Sequence, residues 1–171
     1  MGYKSEFLTH PWECVFDEQS KILILGSFPS PKSRQNGFYY AHPQNIFWQT
    51  LSFVLGKPQP ADDKKSKMLF LLENKIALWD VLHSCDINGA SDNAIVNPIA
   101  NKFKPLLDAS NISTIFTTGK KATELFQKLC SKEAGMNSIY LPSTSPANVK
   151  THKSAKFLEH WELVTKALKD L

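Results

Sequence analysis

The sequence predicts an α/β protein, a three-layer α/β/α sandwich built around a central, mainly parallel sheet of four strands. Two features predict this fold class. Short, continuous apolar runs, which are typical of strands buried on both faces, alternate along the chain with segments of helical periodicity. The chain of 171 residues, 42% of them hydrophobic, is also long enough to bury one core. We therefore expect residues 1–171 to form a single domain.

The four predicted strands are the apolar runs at residues 21–26, 76–82, 112–118 and 139–141. The first run, KILILG, has no polar residue between its Lys and its Gly, as expected for a strand in the middle of a parallel sheet. The proline at position 142 ends the fourth run. These runs form the central layer of the predicted sandwich.

Five segments have the apolar spacing of helices, namely residues 45–55, 62–73, 101–109, 119–129 and 153–168. In the last of them, Leu158, Trp161 and Val164 share one face of a helix, while Lys and Glu occupy the others. Residues 83–100 have no convincing period and are predicted to form a long loop, a kind of segment that is often functional.

The cysteines exclude several kinds of site. Cys14, Cys85 and Cys130 are far apart in the sequence and form neither a CxxC motif nor a cluster with zinc-ligand spacing. Three thiolates cannot complete a four-cysteine iron–sulfur site, and an odd number of cysteines argues against a secreted disulfide framework. We therefore expect no metal and no cofactor.

The net charge and the first residues of the sequence restrict the possible partners and the location of the protein less strongly. The sequence has 20 Lys and Arg residues against 16 Asp and Glu residues, and the resulting charge of +4 permits a nucleic-acid partner without demonstrating one. Polar residues interrupt the first positions, so they contain no apolar signal core, and the longest apolar runs are too short to span a bilayer. We expect a soluble, cytoplasmic protein that does not bind membranes.

Polar or glycine-containing loops follow three of the predicted strands, at residues 26–45, 117–121 and 142–148. Ligands of open α/β sheets bind beyond the carboxyl ends of the strands, so parallel strands bring these loops together. The pair Gly119 and Lys120 resembles a phosphate-binding loop but lacks its earlier glycine and its Ser or Thr. The motifs GxGxxG, GxSxG and HExxH do not occur. The sequence thus predicts where the site lies, but it contains none of these familiar catalytic motifs.

The loop after the first strand is rich in aromatic residues, and residues 37–48 read GFYYAHPQNIFW. Exposed aromatic rings are unfavourable in water, whereas rings that face a ligand stack on planar groups such as nucleobases. One interpretation is therefore a pocket for a planar ligand. The alternative is that Phe38 and Tyr39 only fill the top of the core.

Residues 37–48 resemble the segment G-F-x-[FY]-A-H-P-x-N-x-F-W of the uracil-DNA glycosylase superfamily, mismatch-specific type. Residues 26–30, GSFPS, and residues 141–145, LPSTS, stand in the places of the first and last motifs of that superfamily. The sequence TGKKA at residues 118–122 matches one of its strand-to-helix turns. The resemblance covers residues 20–165 and agrees with the predicted order of elements.

Two residues differ from the motifs of this superfamily and indicate which of its branches the chain resembles. Phe28 stands where mismatch-type members carry a water-positioning Asn, and Leu141 stands where the uracil-specific branch carries a His. Neither side chain supports efficient excision of uracil. The pattern is most similar to the hypoxanthine-DNA (DNA-deoxyinosine) glycosylase branch, in which the catalytic residue is the Asn of A-H-P-x-N, here Asn45.

The resemblance implies a monofunctional base-excision repair glycosylase. Such a hydrolase flips deoxyinosine out of DNA, cleaves its N-glycosidic bond to release hypoxanthine and leaves an abasic site. The implied partner is DNA that contains deaminated bases, bound by a monomer. Two alternatives stay open: a glycosylase of the same fold that prefers uracil, xanthine or another deaminated base, and a non-catalytic module that binds damaged DNA or a nucleobase.

The resemblance also implies a set of site residues. Asn45 either holds a water molecule near the sugar or hydrogen-bonds the departing purine, and the alternative is that it only caps a helix. Tyr40 is expected to stack on the base, and His42 to fix the loop through a backbone carbonyl. The implied base pocket comprises Gly26, Ser27, Phe28, Tyr40 and His42. The implied DNA contacts are Ser143, Thr144, Ser145, Asn148, Gly119 and Lys120. Apart from the resemblance, Asp80 and Asp92 lie near the ends of strands or loops and are candidates for supporting the pocket, with a purely structural role as the favoured alternative.

Overall fold

A parallel sheet of four strands forms the centre of the structure, a computed structural model that describes residues 5–88 and 94–170. The strands of these residues are β1 (Glu6–Thr9), β2 (Ile22–Gly26), β3 (Ile76–Asp80), β4 (Leu82–Ile87), β5 (Ile95–Ala100), β6 (Thr114–Thr118) and β7 (Ser138–Leu141). The central sheet has the order β3-β2-β6-β7, and every neighbouring pair is parallel. The predicted sheet is confirmed, because its strands are the four apolar runs of the sequence.

Helices connect the strands of this sheet. Those of the described residues are α1 (Pro31–Asn36), α2 (Phe47–Leu55), α3 (Lys64–Glu73), α4 (Lys104–Asp108), α5 (Lys120–Leu129), α6 (Ser131–Ala134) and α7 (Ala155–Lys169), with a 3-10 helix at Pro146–Thr151. The five predicted helices correspond to α2, α3, α4, α5 and α7. The sequence does not predict α1, α6 or the 3-10 helix, because segments this short have no clear apolar period.

Side chains of β2 alternate between two helical layers. Ile22 and Ile24 belong to a core cluster that includes residues of α2, α3 and α7. Leu23 and Leu25 belong to the cluster on the opposite face, which includes residues of α4 and α5. Because successive side chains of a strand point to opposite faces, one fully buried strand joins both cores. This arrangement is the predicted three-layer sandwich.

A second sheet corrects the predicted loop at residues 83–100. β1, β4 and β5 form a three-stranded antiparallel sheet with β4 in the middle. The loop prediction is wrong because β4 and β5 are partly exposed and carry polar residues, so neither has the continuous apolar run of a buried strand. Pro98 is tolerated because β5 is an edge strand. Asp92, one of the predicted pocket residues, lies outside the described residues.

The segment before β2 covers the outer edge of β3. Val15 and Leu78 exchange two backbone hydrogen bonds, with N–O distances of 3.0 and 2.9 Å. These bonds satisfy backbone groups on an edge that is otherwise open to pairing with another chain. Across the part of the chain that the structure describes, no helix combines the length and the apolar character needed to cross a membrane.

Trp161→Phe is expected to destabilise the protein more than Trp79→Phe. Trp161 is fully buried, and its indole N–H donates to the carbonyl oxygen of Pro142 at 3.1 Å. Among the described residues, the indole nitrogen of Trp79 is buried without a hydrogen-bond partner. Both changes remove the same atoms, but only the first leaves a buried carbonyl unsatisfied, at a cost of about 1–3 kcal/mol. Urea denaturation measures both free energies of unfolding, and equal losses would contradict this account.

Candidate active site

Three loops meet where the parallel strands of the central sheet end. Tyr40, in the loop after β2, has its hydroxyl oxygen 3.0 Å from Oγ1 of Thr118, at the end of β6. Asn45, in the same loop, accepts a hydrogen bond of 2.8 Å from the hydroxyl of Thr144, which follows β7. The predicted convergence of these loops is confirmed, and it brings residues from distant parts of the chain to one edge of the sheet.

The beginning of the loop after β2 is fixed to the neighbouring strands. The carbonyl oxygens of Gly26 and Ser27 accept hydrogen bonds from the backbone amides of Val81 and Leu82, at 2.8 and 3.1 Å. Phe28 is 9% exposed and packs into the core on the side of α4 and α5. The sheet itself therefore holds the three pocket residues that were predicted at the end of β2.

A close approach of two side chains requires glycine at position 26. A Cβ atom on Gly26 would lie 2.5 Å from Oδ1 of Asp80 and 3.0 Å from the hydroxyl oxygen of Tyr40. The first distance is shorter than non-bonded carbon and oxygen atoms adopt, and the second is unusually short. Because Gly26 has no side chain, the Asp80 carboxylate and the Tyr40 hydroxyl can lie together at the end of β2.

Asp80 forms a buried pair with His10, a residue that the sequence analysis does not single out as part of the site. Nε2 of His10 lies 2.8 Å from Oδ2 of Asp80, and the two side chains are 2% and 5% exposed. Nδ1 of His10 lies 2.6 Å from the carbonyl oxygen of Trp12. The His10 ring also meets the ring of Phe28 edge-on, with centroids 5.8 Å apart. The pair thus supports the pocket residues Gly26 and Phe28 from the interior.

Tyr40 is the ring of the aromatic loop that stays near the surface. Phe38 and Tyr39 are buried in the core, as the alternative interpretation of this loop expects. Tyr40 is half-buried and stacks on Phe47, the first residue of α2, with ring centroids 3.9 Å apart and an angle of 7° between the planes. The loop therefore combines two core side chains with one half-buried ring that stacks on Phe47.

The backbone and the hydroxyl of Tyr40 both hold its ring in place. Its φ angle of 52° lies in the left-handed region, which a bulky residue adopts only where surrounding contacts compensate the strain. The Thr118 hydroxyl donates to the carbonyl oxygen of Leu25 at 3.2 Å. Because a hydroxyl has one proton, the hydrogen bond between Tyr40 and Thr118 is donated by Tyr40.

The side-chain amide of Asn45 has a fixed orientation. Its Oδ1 atom accepts hydrogen bonds from the backbone amide of Phe47 at 2.9 Å and from the hydroxyl of Thr144 at 2.8 Å. A backbone N–H can only donate, so the atom that faces it is the amide oxygen. Asn45 therefore keeps its amide nitrogen, a hydrogen-bond donor, as its remaining polar group. The bond from the Phe47 amide binds the first residue of α2, but Ile46 and not Asn45 is the N-cap of this helix, so the helix-capping alternative is wrong about the position of Asn45.

His42 fixes the loop, but not through the predicted partner. Its Nδ1 atom accepts a hydrogen bond of 3.0 Å from the backbone amide of Gln44, and its carbonyl oxygen accepts one of 2.9 Å from the amide of Asn45. The prediction of a carbonyl partner is wrong because the turn at these residues brings an amide to the ring. Since Nδ1 accepts a hydrogen bond, it is the unprotonated nitrogen of this imidazole.

Two of the loops predicted to contact DNA lie side by side. A Cβ atom on Gly119 would be 3.4 Å from Cβ of Ser143, and the φ angle of 85° at Gly119 is one that favours glycine. The Gly119 amide donates to the carbonyl oxygen of Leu141 at 2.7 Å. Lys120 is exposed at the first turn of α5, where the helix dipole adds partial positive charge. This corner of the surface can accept an anionic group.

Two other residues of the predicted DNA contacts turn inward. Thr144 is 1% exposed, and its hydroxyl is used by Asn45. The side-chain amide of Asn148 donates to the carbonyl oxygen of Ser143 at 2.9 Å. Val149, which the sequence analysis does not single out, is 57% exposed on the adjoining 3-10 helix. This 3-10 helix thus exposes an apolar side chain, Val149, directly after the predicted contact residues and next to the exposed Lys150.

A comparison with protein families places these motifs in one known group. Residues 14–169 match the family model described as the uracil DNA glycosylase superfamily. The chain belongs to this superfamily. The resemblance carried by residues 37–48 is thereby confirmed, and its motifs lie at the strand ends where the site is built.

Two curated relatives and one solved structure are similar to this superfamily member. A protein named hypoxanthine DNA glycosylase, from Methanosarcina barkeri, is 36% identical over 143 residues, which cover 83% of this chain and 89% of the relative. A protein of the same name from Methanosarcina acetivorans is 33% identical over 151 residues, covering 88% and 93%. The solution NMR structure of a candidate uracil DNA glycosylase from Methanosarcina acetivorans has a TM-score of 0.77 and 32% identity, covering 96% of this chain and 99% of its own.

This superfamily member carries apolar side chains at two motif positions. Phe28, in the first motif, is almost completely buried, and Leu141, in the last motif, is fully buried. Neither side chain has a hydrogen-bonding group to present to a base, a sugar or a water molecule. The polar chemistry of these motifs therefore depends on the aromatic loop, where the amide of Asn45 is oriented by the two bonds described above.

The cysteines of the described residues are held in their protonated form. Burial, together with Asp86, raises the pKa of Cys85 to about 11, and burial, together with Glu133, raises the pKa of Cys130 to about 12. Burial also raises the pKa of Cys14 well above its usual range. A protonated thiol is neither a nucleophile nor a good metal ligand. Among residues 5–88 and 94–170, no group of three or more His, Cys, Asp or Glu side chains could hold a metal ion.

Alkylation of the native protein should be slow at neutral pH and should accelerate with alkali. At pH 8 a thiol with a pKa of about 11, such as Cys85, is ionised in about one molecule in a thousand. Labelling by iodoacetamide is therefore expected to rise roughly tenfold per pH unit from pH 8 to 10. Mass spectrometry of tryptic peptides measures each site, and the same protein in urea serves as the reactive control. Rapid labelling of native Cys85 or Cys130 at pH 8 would contradict the raised pKa values.

Proposed function

We propose that this chain hydrolyses the N-glycosidic bond of deoxyinosine in DNA, releases hypoxanthine and leaves an abasic site. The oxygen of a water molecule forms a bond to C1′ of the sugar as the bond between C1′ and the base breaks. The proton that this water loses neutralises the negative charge of the departing base. The observation that carries this proposal is that one loop holds both the oriented donor of Asn45 and the ring of Tyr40, each in contact with Phe47. It is supported by the two curated relatives, which are both named hypoxanthine DNA glycosylase.

The deoxyinosine nucleotide must leave the duplex before its base can reach this site, at a cost of a few kcal/mol. Tyr40 offsets part of this cost, because its ring stacks on the planar base. Stacking of a base on an aromatic side chain contributes about 1–3 kcal/mol. The ring is already oriented by Phe47 and by the Thr118 hydroxyl, so little rotational freedom is lost on binding.

Asn45 acts on the departing base rather than on the attacking water. As the bond between C1′ and the purine breaks, negative charge accumulates on the purine, and an N–H group directed at it stabilises the transition state. The attacking water instead needs an acceptor for its proton, but Oδ1 of Asn45 already accepts from Phe47 and Thr144. An amide also has no useful proton affinity near pH 7, so Asn45 is not a general base.

The DNA backbone is bound by the corner formed by Gly119, Lys120, Ser143 and Ser145. Lys120 supplies a positive charge, and the hydroxyls and backbone amides of this corner are typical phosphate ligands. Val149 is the exposed apolar residue of the adjoining 3-10 helix, and it rests against the base stack that the flipped nucleotide leaves. The acting form is a monomer.

Asn45→Ala is expected to slow single-turnover release of hypoxanthine by about 100- to 1,000-fold, the usual cost of removing one transition-state donor. Asn45→Asp is expected to be slower still, because a carboxylate lacks the N–H group and adds negative charge beside the departing base. Rates are measured on a duplex oligonucleotide with one deoxyinosine, with enzyme in excess.

Gln44→Ala is the matched control for these variants, since Gln44 is exposed next to Asn45 and only its backbone amide takes part in the loop. Its rate should equal that of the wild type. A near wild-type rate for Asn45→Ala would remove Asn45 from the mechanism. A faster reaction for Asn45→Asp than for Asn45→Ala would assign Asn45 to the water instead of the base.

A panel of oligonucleotides, each with a single lesion, distinguishes this proposal from its alternatives. Deoxyinosine is expected to be a faster substrate than uracil, because the first motif carries Phe28 in place of a water-positioning Asn. It is expected to be faster than xanthine as well, because both curated relatives are named hypoxanthine DNA glycosylase. Free bases are quantified by mass spectrometry, and borohydride trapping checks that no covalent enzyme–DNA adduct forms. Faster release of another base would change the substrate, and tight binding without release of any base would identify a binding module.

A further inference from the structure

Thr144 occupies an unusual position for a residue of a surface loop. It follows β7 in the chain, yet it is only 1% exposed. Its hydroxyl donates to Oδ1 of Asn45 at 2.8 Å, across 99 positions of the sequence. A hydroxyl with this burial and this partner is not available to a phosphate. The role of Thr144 must therefore be exerted through Asn45.

Thr144 is bound to the aromatic loop at two points. Besides the side-chain bond to Asn45, its carbonyl oxygen accepts a hydrogen bond of 3.2 Å from the backbone amide of Ile46. Two bonds to consecutive residues define both the distance and the direction between the loops. The hydroxyl of Thr144 is consequently held at one place relative to the Asn45 amide.

The loop that carries Thr144 is itself anchored to the interior. The carbonyl oxygen of Pro142 accepts from the indole N–H of Trp161 at 3.1 Å. The carbonyl oxygen of Ser143 lies 2.9 Å from the donor amide of Asn148 and 3.1 Å from Nε2 of His152. With the bond from Ile46, three consecutive carbonyls accept hydrogen bonds from other parts of the protein. The position of Thr144 is thus set by the fold before any ligand binds.

The hydroxyl of Thr144 decides what the Asn45 amide can do. The bond from the Phe47 amide occupies only one of the two lone pairs of Oδ1. Without Thr144, the second lone pair would accept a water molecule. The amide could then rotate, so that either its N–H groups or its oxygen would face a ligand. With Thr144, both lone pairs are used, and the N–H groups remain for a ligand.

We propose that Thr144 is a positioning residue for base release, one that locks the amide of Asn45 with its donor edge toward the purine. This inference rests on the proposed function of Asn45 as the donor to the departing base. Because the same loop carries Ser143 and Ser145, the lock also ties the surface that binds the DNA backbone to the group that acts on the base.

The test compares Thr144→Val, which keeps the shape and removes the hydroxyl, with Thr144→Ser, which keeps the hydroxyl. Thr117→Val is the matched control, because Thr117 is also fully buried and its hydroxyl binds Thr123 and Ser138 instead of Asn45. Single-turnover release of hypoxanthine and the Kd for the undamaged duplex are measured for each variant. Thermal denaturation reports the stability of all three.

Thr144→Val is expected to release hypoxanthine about 10- to 100-fold more slowly than the wild type, as is typical when a reacting group loses its orientation. Its Kd for DNA should stay within about twofold, since the hydroxyl does not reach the surface. Thr144→Ser should recover most of the rate, and Thr117→Val should keep all of it. An unchanged rate in Thr144→Val, or an equal loss in Thr117→Val, would overturn the proposal.

A second measurement separates this inference from the proposed function. The side-chain amide of Asn45 is observed by ¹⁵N NMR in the ligand-free protein, where the lock predicts one sharp pair of resonances. These resonances should shift or broaden in Thr144→Val and be restored in Thr144→Ser. If the wild type releases no hypoxanthine, the proposed function fails, and the NMR comparison still decides whether Thr144 orients Asn45. Identical Asn45 resonances in Thr144→Val and the wild type would overturn the lock.

Discussion

Parallel strands can be joined only by connections that cross back over the sheet, and this constraint determines where the site is built. In the order β3-β2-β6-β7, every carboxyl end opens on the same edge, so loops from distant parts of the chain meet there. β2 supports this edge because its side chains are buried in two separate cores. The loop that begins at Gly26 is therefore attached to a fully buried strand, and Asp80 lies at the end of the neighbouring strand β3.

The sequence predicts the parallel sheet well and the antiparallel sheet poorly, for one physical reason. A strand buried on both faces must be apolar throughout, as residues 22–25 are, and such a run is visible without knowledge of its partners. β4 and β5 are partly exposed. β1 pairs with β4, although the two strands are far apart in the sequence. Their identity as strands depends on contacts that no local pattern records.

Within the site, prediction succeeds where one short segment contains the chemistry and fails where the direction of a side chain decides it. Tyr40 and Asn45 belong to a single motif, so their proximity follows from the sequence. Thr144 stands between two serines that resemble it, and only burial shows that its hydroxyl faces the interior. His10 meets Asp80 from 70 positions away, a distance over which spacing carries no information.

The anchored loop of Pro142, Ser143 and Thr144 has a consequence for the DNA. Its three carbonyls already accept hydrogen bonds from other parts of the protein, so the loop can change shape only by breaking these bonds. Because the protein surface is rigid, the DNA duplex itself must be distorted for the proposed reaction to occur. Sites whose base pairs open easily, such as mismatches, would then be engaged first. If this loop binds DNA as proposed, discrimination would begin with the ease of opening the damaged base pair, before any group of the base is contacted.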